Sequence, residues 1–258
     1  MATVKISSAS IDERGQARGG QAGNQNGKEL RTQSWYLPDE AHGGAWRVLR
    51  AINPEVADLI GDAMLSAVAN TNIGYDQDNR LSLFTACYAA QLKGGRFWPG
   101  DVDHRVECDC SALVRVCIEA AGVECGNFTT YNEVAKIQQT GAFVELDGDA
   151  YTKHSSKLCK GDVLVTAKPG HTVIVTYSPY KRESYLMPTI RKGSKCYEVA
   201  TLQRLLKIVL SKSKLDIDGD FGQQTENALK EYQKLRGLEV DGVCGNVTWN
   251  QILRREKP

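Results

Sequence analysis

The stretch VECDCSALVRVCIEAAG, Val106–Gly122, holds three of the chain's eight cysteines, two of them separated by one residue. From Ser111 the pattern predicts a helix. Ser111 stands near the N-cap, Leu113, Val114, Cys117, Ala120 and Ala121 form an apolar stripe, and Gly122 ends it. Cys117 therefore points into the core. Cys110 stands at the helix start, where unpaired backbone N–H groups and the positive end of the helix dipole favour a thiolate and predict a pKa below the free value of roughly 8.5. Cys108 lies before the helix and lacks that position. Position alone leaves Cys110 open between a nucleophile and a small buried hydrophobe. Zinc is the minor alternative for Cys108, Cys110, Cys117 and Cys125, because their spacing lacks the paired C-x2-C knuckles of zinc sites, and no metal is expected.

A nucleophilic thiol needs a base, usually histidine, to take its proton and return it to a leaving amine. The sequence offers His42, His104, His154 and His171. The first three lie in loop or polar segments. His171 follows the Pro169-Gly170 turn of KGDVLVTAKPGHTVIVTY, Lys160–Tyr177, where two β-branched runs predict an antiparallel hairpin and give His171 a rigid mount at a strand opening.

The rest of the chain sets this pair in a larger frame. With 258 residues, 41% of them apolar, it is long enough for one large or two smaller domains, and two are expected. Thirty-two basic residues against 31 acidic ones give no global electrostatic case for a nucleic acid or an acidic membrane surface. No apolar run approaches the roughly 20 residues of a membrane span, and the first residues lack the apolar core of a secretory signal. A soluble chain made in the cytoplasm, with reduced thiols, is the expectation. Helices are predicted over Pro54–Ala69 and within RLSLFTACYAAQL, where Cys87 is a core residue. The early segment GGQAGNQNGKE reads as a glycine-rich loop, either slack or the wall of a site. A polar stretch broken by Pro179 and Pro188 marks a linker, giving domains at 1–180 and 190–258 with 181–189 between them.

Beyond the linker, DGDFGQQT, Asp218–Thr225, and DGVCGNVT, Asp241–Thr248, repeat D-G-x-x-G-x-x-T. Each leads into an apolar-periodic helix, and a third helix carrying Val199, Leu202, Leu205, Leu206 and Val209 precedes them. The segment resembles the three-helix peptidoglycan-binding domain of bacterial and phage cell-wall hydrolases over nearly all of residues 190–254. Cys196 and Cys244 lie near opposite ends of it, and the sequence leaves their pairing open.

The combination of DCSALV with KGDVLV and GHTVIV resembles the NlpC/P60 type of papain-like cysteine peptidase. The resemblance implies an α+β catalytic domain with Cys110 as nucleophile and His171 as base, while Gly161-Asp162 marks the strand before it. GGQAGNQNGKEL, SWY and NIGYDQDNR resemble the same parts of a clostridial and phage lysin group. The family's third polar residue, on the strand after the histidine strand, falls here in the linker, where Glu183 and Ser184 are the available groups. Gln25 is a candidate to donate to an oxyanion or hold the imidazole, the alternative being a solvated loop amide. Asp76 with Gln77 is a similar candidate. Asp109 and Ser111 are placed to meet substrate or to support the helix start, and Trp35 and Tyr36 to line a groove or fill the core.

The function implied is hydrolysis of an amide bond in the peptidoglycan stem, with cleavage beside a D-glutamyl residue favoured over the amidase bond between sugar and L-alanine. A wall-binding structural protein and an acyltransferase on the same scaffold are the rivals. The implied partner is peptidoglycan, without cofactor, nucleic acid or stable membrane association, and the chain is expected to be a monomer. The resemblance also implies action at the wall after release through a membrane lesion or lysis.

Overall fold

The computed structural model describes residues 3–181, 187–211 and 214–253. They fall into two compact units, Met1–Gln138 with Phe143–Arg182, and Gln139–Ala142 with Glu183–Pro258. In chain order the first unit contains β1 (Lys5–Ala9), β2 (Leu30–Ser34), β3 (Trp46–Ala51), α1 (Pro54–Ala69), β4 (Ile73–Tyr75), α2 (Ser82–Leu92), β5 (Val106–Cys108), α3 (Cys110–Ala120), α4 (Glu133–Gln139), β6 (Phe143–Leu146), α5 (Asp149–Thr152), β7 (Val163–Thr166) and β8 (Thr172–Tyr177). Six strands form one antiparallel sheet in the order β2-β1-β8-β7-β3-β6, and β4 pairs with β5 in parallel.

The expected hairpin is present, with Val165 opposite Thr172 and Val163 opposite Ile174. On one face of the sheet Val4, Ile6, Trp46, Val48, Leu158, Leu164, Val173 and Val175 form a buried cluster against which Trp35 packs. Helices α1 and α3 pack together and against β8. Helix α3 buries eight of its residues, from Cys110 to Val114 and from Val116 to Ile118. Such burial on nearly all sides marks it as a core helix rather than a surface one.

Gly161 and Gly74 are the two glycines of the first unit at which neighbouring backbone approaches closest. Gly161, at φ +85°, lies where a Cβ would stand 1.9 Å from the Ala57 carbonyl oxygen of α1. The expected Gly161-Asp162 pair thus brings the start of β7 against the helix. Asp162 then takes two 2.7 Å hydrogen bonds from the Arg50 guanidinium of β3 and one of 2.8 Å from the Cys159 N–H. At Gly74 a Cβ would stand 2.5 Å from the Gly23 carbonyl oxygen, because the glycine-rich loop crosses β4 there. The loop is held by buried Glu29, whose carboxylate accepts from the N–H groups of Gln25 and Tyr75.

The second unit holds α6 (Tyr197–Val209), α7 (Gln223–Leu235) and α8 (Asn246–Leu253). Its repeated turns are each organised by a buried glutamine. Gln203 donates to Asp218, to the Asp220 carbonyl and to Thr225, and accepts from the N–H groups of Asp218 and Gly219. Gln233 does the same for the second turn with Asp241, the Val243 carbonyl, Thr248 and the Gly242 N–H. Trp249 is buried and donates to the Pro188 carbonyl. Cys196 and Cys244 are both free thiols.

Candidate functional site

Helix α3 begins at Cys110 and not after it. Its N-cap is Asp109 rather than Ser111, with the Asp109 carboxylate accepting from the Ala112 N–H at 2.7 Å. A carboxylate is a good cap here because it meets both orphan N–H groups and the positive helix end. Ser111 turns back to Asp109, 2.9 Å away. Arg80 gathers the assembly, donating to Asp109 at 2.5 Å, to Ser111 at 2.9 Å, to the Phe128 carbonyl at 2.7 Å and to Asn127 at 2.9 Å. Asp109 and Ser111 therefore build the helix start.

Cys110 is 8% exposed. The backbone N–H groups of Thr172 and Ser111 lie near its sulfur, so the strand end carrying His171 is close to the helix start carrying the thiol. The expected lowering of the thiol pKa is not what this site produces. Burial, reinforced by the carboxylates of Asp109 and Glu133, outweighs the two N–H groups and pushes Cys110 up to about 12. Burial, with the positive charges of His42 and Arg31, holds the His171 imidazole down at about 4. At neutral pH Cys110 is therefore a thiol and His171 a neutral imidazole.

His171 immediately precedes β8 and is anchored by its backbone. Its N–H donates to Thr166 Oγ1 at 3.1 Å, and its carbonyl accepts from the Thr166 N–H at 3.0 Å. Glu183 and Ser184 lie outside the described residues. His42, passed over in the sequence as a loop residue, flanks the adjacent Gly170 and pairs with Asp39 at 2.6 Å.

Tyr36 stands near the thiol, its hydroxyl raised chiefly by burial, and packs edge-on to Trp46 with ring centroids 5.5 Å apart. Its ring is partly exposed, so it borders the site. Trp35 instead joins the core cluster. Tyr75 also faces Cys110 and is pushed up to about 12, chiefly by burial. Gln25 is not brought to the pair: its side-chain amide donates to the Ala22 and Gly23 carbonyls of its own loop, at 2.8 and 2.9 Å. Asp76 accepts from the Gly19 and Asp78 N–H groups, and Gln77 donates to the Tyr75 hydroxyl. Cys108 is fully enclosed beside the Gly74 carbonyl, and Cys117 lies in the core close to Cys87. Among the described residues no group of three or more His, Cys, Asp or Glu side chains is arranged to hold a metal.

The residue that the sequence did not single out is Glu133, the first of α4. It is wholly buried, its Oε1 lies 2.7 Å from Thr172 Oγ1, and its Oε2 has no hydrogen-bond partner. Burial raises its carboxyl to about 8, with Asp109 adding to the rise while Thr172 and Arg80 oppose it.

A family model described as an endolysin-like domain matches residues 6–181. A second, described as "Putative peptidoglycan binding domain", matches residues 197–252. Among curated proteins, the chain is similar to the N-acetylmuramoyl-L-alanine amidase CwlM of Mycobacterium tuberculosis, with 40% identity over 83 residues, 30% of this chain and 20% of that protein. The chain thus spans about a fifth of that relative's length. Among solved structures it is similar to a peptidoglycan-binding protein from Clostridioides difficile in complex with glutamine hydroxamate. That likeness has 30% identity, covers 36% of this chain and 50% of the other, and has a TM-score of 0.25.

Proposed function

We propose that this chain, which belongs to the endolysin-like domain family, hydrolyses an amide bond of the peptidoglycan stem with Cys110 as nucleophile and His171 as base. The observation that carries the reading is the apposition of two chain segments: the start of α3 presents the Cys110 sulfur to the N–H of Thr172, the residue after His171. The match of residues 197–252 to a peptidoglycan-binding domain supports the choice of polymer.

In the proposed reaction the Cys110 sulfur attacks the amide carbonyl as His171 takes the thiol proton. Proton removal would have to accompany attack, because a free thiolate is strongly disfavoured in the buried site. Backbone N–H groups at the start of α3 would stabilise the oxyanion. Collapse breaks the C–N bond, His171 gives its proton to the departing amine, and water activated by the same imidazole then hydrolyses the thioester. The papain-like NlpC/P60 assignment belongs to this proposal, as do cleavage beside a D-glutamyl residue and delivery to the wall during phage lysis. The domain boundaries at residues 180 and 190 belong to it as well. Cleavage at the amidase bond is a second reading, favoured by the similarity to the mycobacterial N-acetylmuramoyl-L-alanine amidase.

The test is loss of turbidity of purified Gram-positive walls with wild type, Cys110→Ala and Cys108→Ala, followed by mass analysis of the fragments. The expected result is activity in wild type and Cys108→Ala and none in Cys110→Ala. Split stem peptides indicate the endopeptidase, and stems released whole from the lactyl group indicate the amidase. Lysis by Cys110→Ala would remove the cysteine mechanism.

A further inference from the structure

Glu133 is buried beside the proposed reacting pair, and half of its carboxyl has no partner. Thr172 connects the two: its hydroxyl meets Glu133 Oε1, its N–H faces the Cys110 sulfur, and its chain neighbour is His171. The groups facing Glu133 from the surrounding elements are Asp109 and Cys110 at the start of α3, Cys125 after that helix, Arg80 before α2 and Thr172 on β8. Arg80 is the cation among them, and it is occupied by Asp109, Asn127, Ser111 and the Phe128 carbonyl.

The hydrogen-bond count at Thr172 bears on the form Glu133 takes. The threonine has one hydroxyl hydrogen and two oxygens facing it, Glu133 Oε1 at 2.7 Å and the Leu164 carbonyl at 3.1 Å. If Glu133 is ionised, both oxygens are acceptors and one goes without. If it carries a proton, the acid hydrogen serves the short contact and the threonine hydrogen goes to Leu164, so both oxygens facing the hydroxyl are bonded. The partnerless Oε2 points the same way, since a buried carbonyl-like oxygen costs far less than a buried charge.

We propose that Glu133 is a positioning residue that works in its protonated form, holding Thr172 so that its N–H and the neighbouring His171 stand correctly at Cys110, and that ionisation of Glu133 shuts the site down. Ionisation would draw the single threonine hydrogen to the carboxylate and away from the Leu164 carbonyl, and place a charge beside a sulfur that must become negative in the attack. The inference rests on the cysteine mechanism above.

Glu133→Gln keeps a neutral amide that donates to Thr172 as the acid does, whereas Glu133→Ala removes the contact. Wall lysis is measured for the full chain from pH 6 to 9.5, with Cys110→Ala as the control. In parallel the rate of iodoacetamide alkylation at Cys110 is followed by peptide mass. Wild-type lysis should fall by about tenfold per pH unit above roughly pH 8, the slope of one proton. Glu133→Gln should stay within about threefold of wild type at pH 6.5 and lose the alkaline decline, and Glu133→Ala should be at least about tenfold slower at pH 6.5. Alkylation should be equal in wild type and Glu133→Gln at pH 6.5, and several-fold faster in Glu133→Gln at pH 9. An unchanged alkaline decline in Glu133→Gln, or wild-type rates in Glu133→Ala, overturns the proposal. Lysis that survives Cys110→Ala removes the cysteine mechanism instead. The alkylation comparison judges Glu133 in that case too, and equal rates at both pH values would refute its role.

Discussion

Arg80 makes four hydrogen bonds from a guanidinium that is 15% exposed, and three of them land on the segments that surround Cys110: Asp109, Ser111 and Phe128. Removing the cation leaves the nearly buried Asp109 carboxylate uncompensated beside Cys110, and breaking a buried pair at one end costs about 3–5 kcal/mol. Because both partners keep some exposure, Arg80→Met should cost about 3 kcal/mol in urea unfolding and slow wall lysis at least about tenfold. Arg80→Lys keeps the charge without the planar fork and should fall between. Wild-type lysis by Arg80→Met would show that the start of α3 holds its shape unaided. The sequence disclosed the residues of the candidate site unevenly. Cys110 and His171 carry local signals, a helix start and a strand after a Pro-Gly turn. Arg80 and Glu133 carry none, because their meaning comes from what the fold brings to them. Glu133 opens a short helix, α4, that the sequence reading did not mark. Its burial comes from contacts with segments distant in sequence.

At the scale of elements, Gly161 joins α1 to β7. A side chain there would both occupy a left-handed conformation and collide with the Ala57 carbonyl. Strain of this kind costs about 1–3 kcal/mol before the clash is counted. Gly161→Ala should therefore lower the melting temperature by roughly 4–8 °C, for a loss of about 2 kcal/mol or more in a unit of this size. A melting curve superimposable on wild type would show that α1 yields to the strand. The helices were legible from apolar periodicity, as Pro54–Ala69 and the three helices of the second unit illustrate. Strand β1 was not, since KISSA places two serines in the core. Ser7 and Ser8 are buried, and Ser7 is matched to Thr32 and Thr176 at 2.7 and 2.9 Å. A polar strand paired on both sides has no period-2 signature. The repeated D-G-x-x-G-x-x-T turns were visible, but Gln203 and Gln233, which satisfy their backbone groups, lie outside the repeat and carry no signal of that role.

At the scale of the whole molecule, Glu133 and His171 make opposite demands on stability as pH changes. His171 is held near 4 in the fold against an ordinary 6.5, so between those values the unfolded chain binds the extra proton and stability rises with pH. Glu133 is raised to about 8 from 4.5, so between those values the folded chain keeps a proton that the unfolded chain has lost, and stability falls with pH. From about 4.5 to 6.5 the two slopes oppose each other. Above 6.5 His171 is neutral in both states and the Glu133 slope stands alone of the two. Over the 1.5 pH units from 6.5 to 8 it amounts to about 2 kcal/mol, at 1.36 kcal/mol per unit. Urea unfolding of the larger unit, followed by its tryptophan fluorescence, should show wild type losing about that much between pH 6.5 and 8 while Glu133→Gln stays level. An equal loss in both proteins would place the titrating group elsewhere. A level curve in wild type would mean that Glu133 is already ionised at pH 6.5, and its acid form could not then be the one that supports the site.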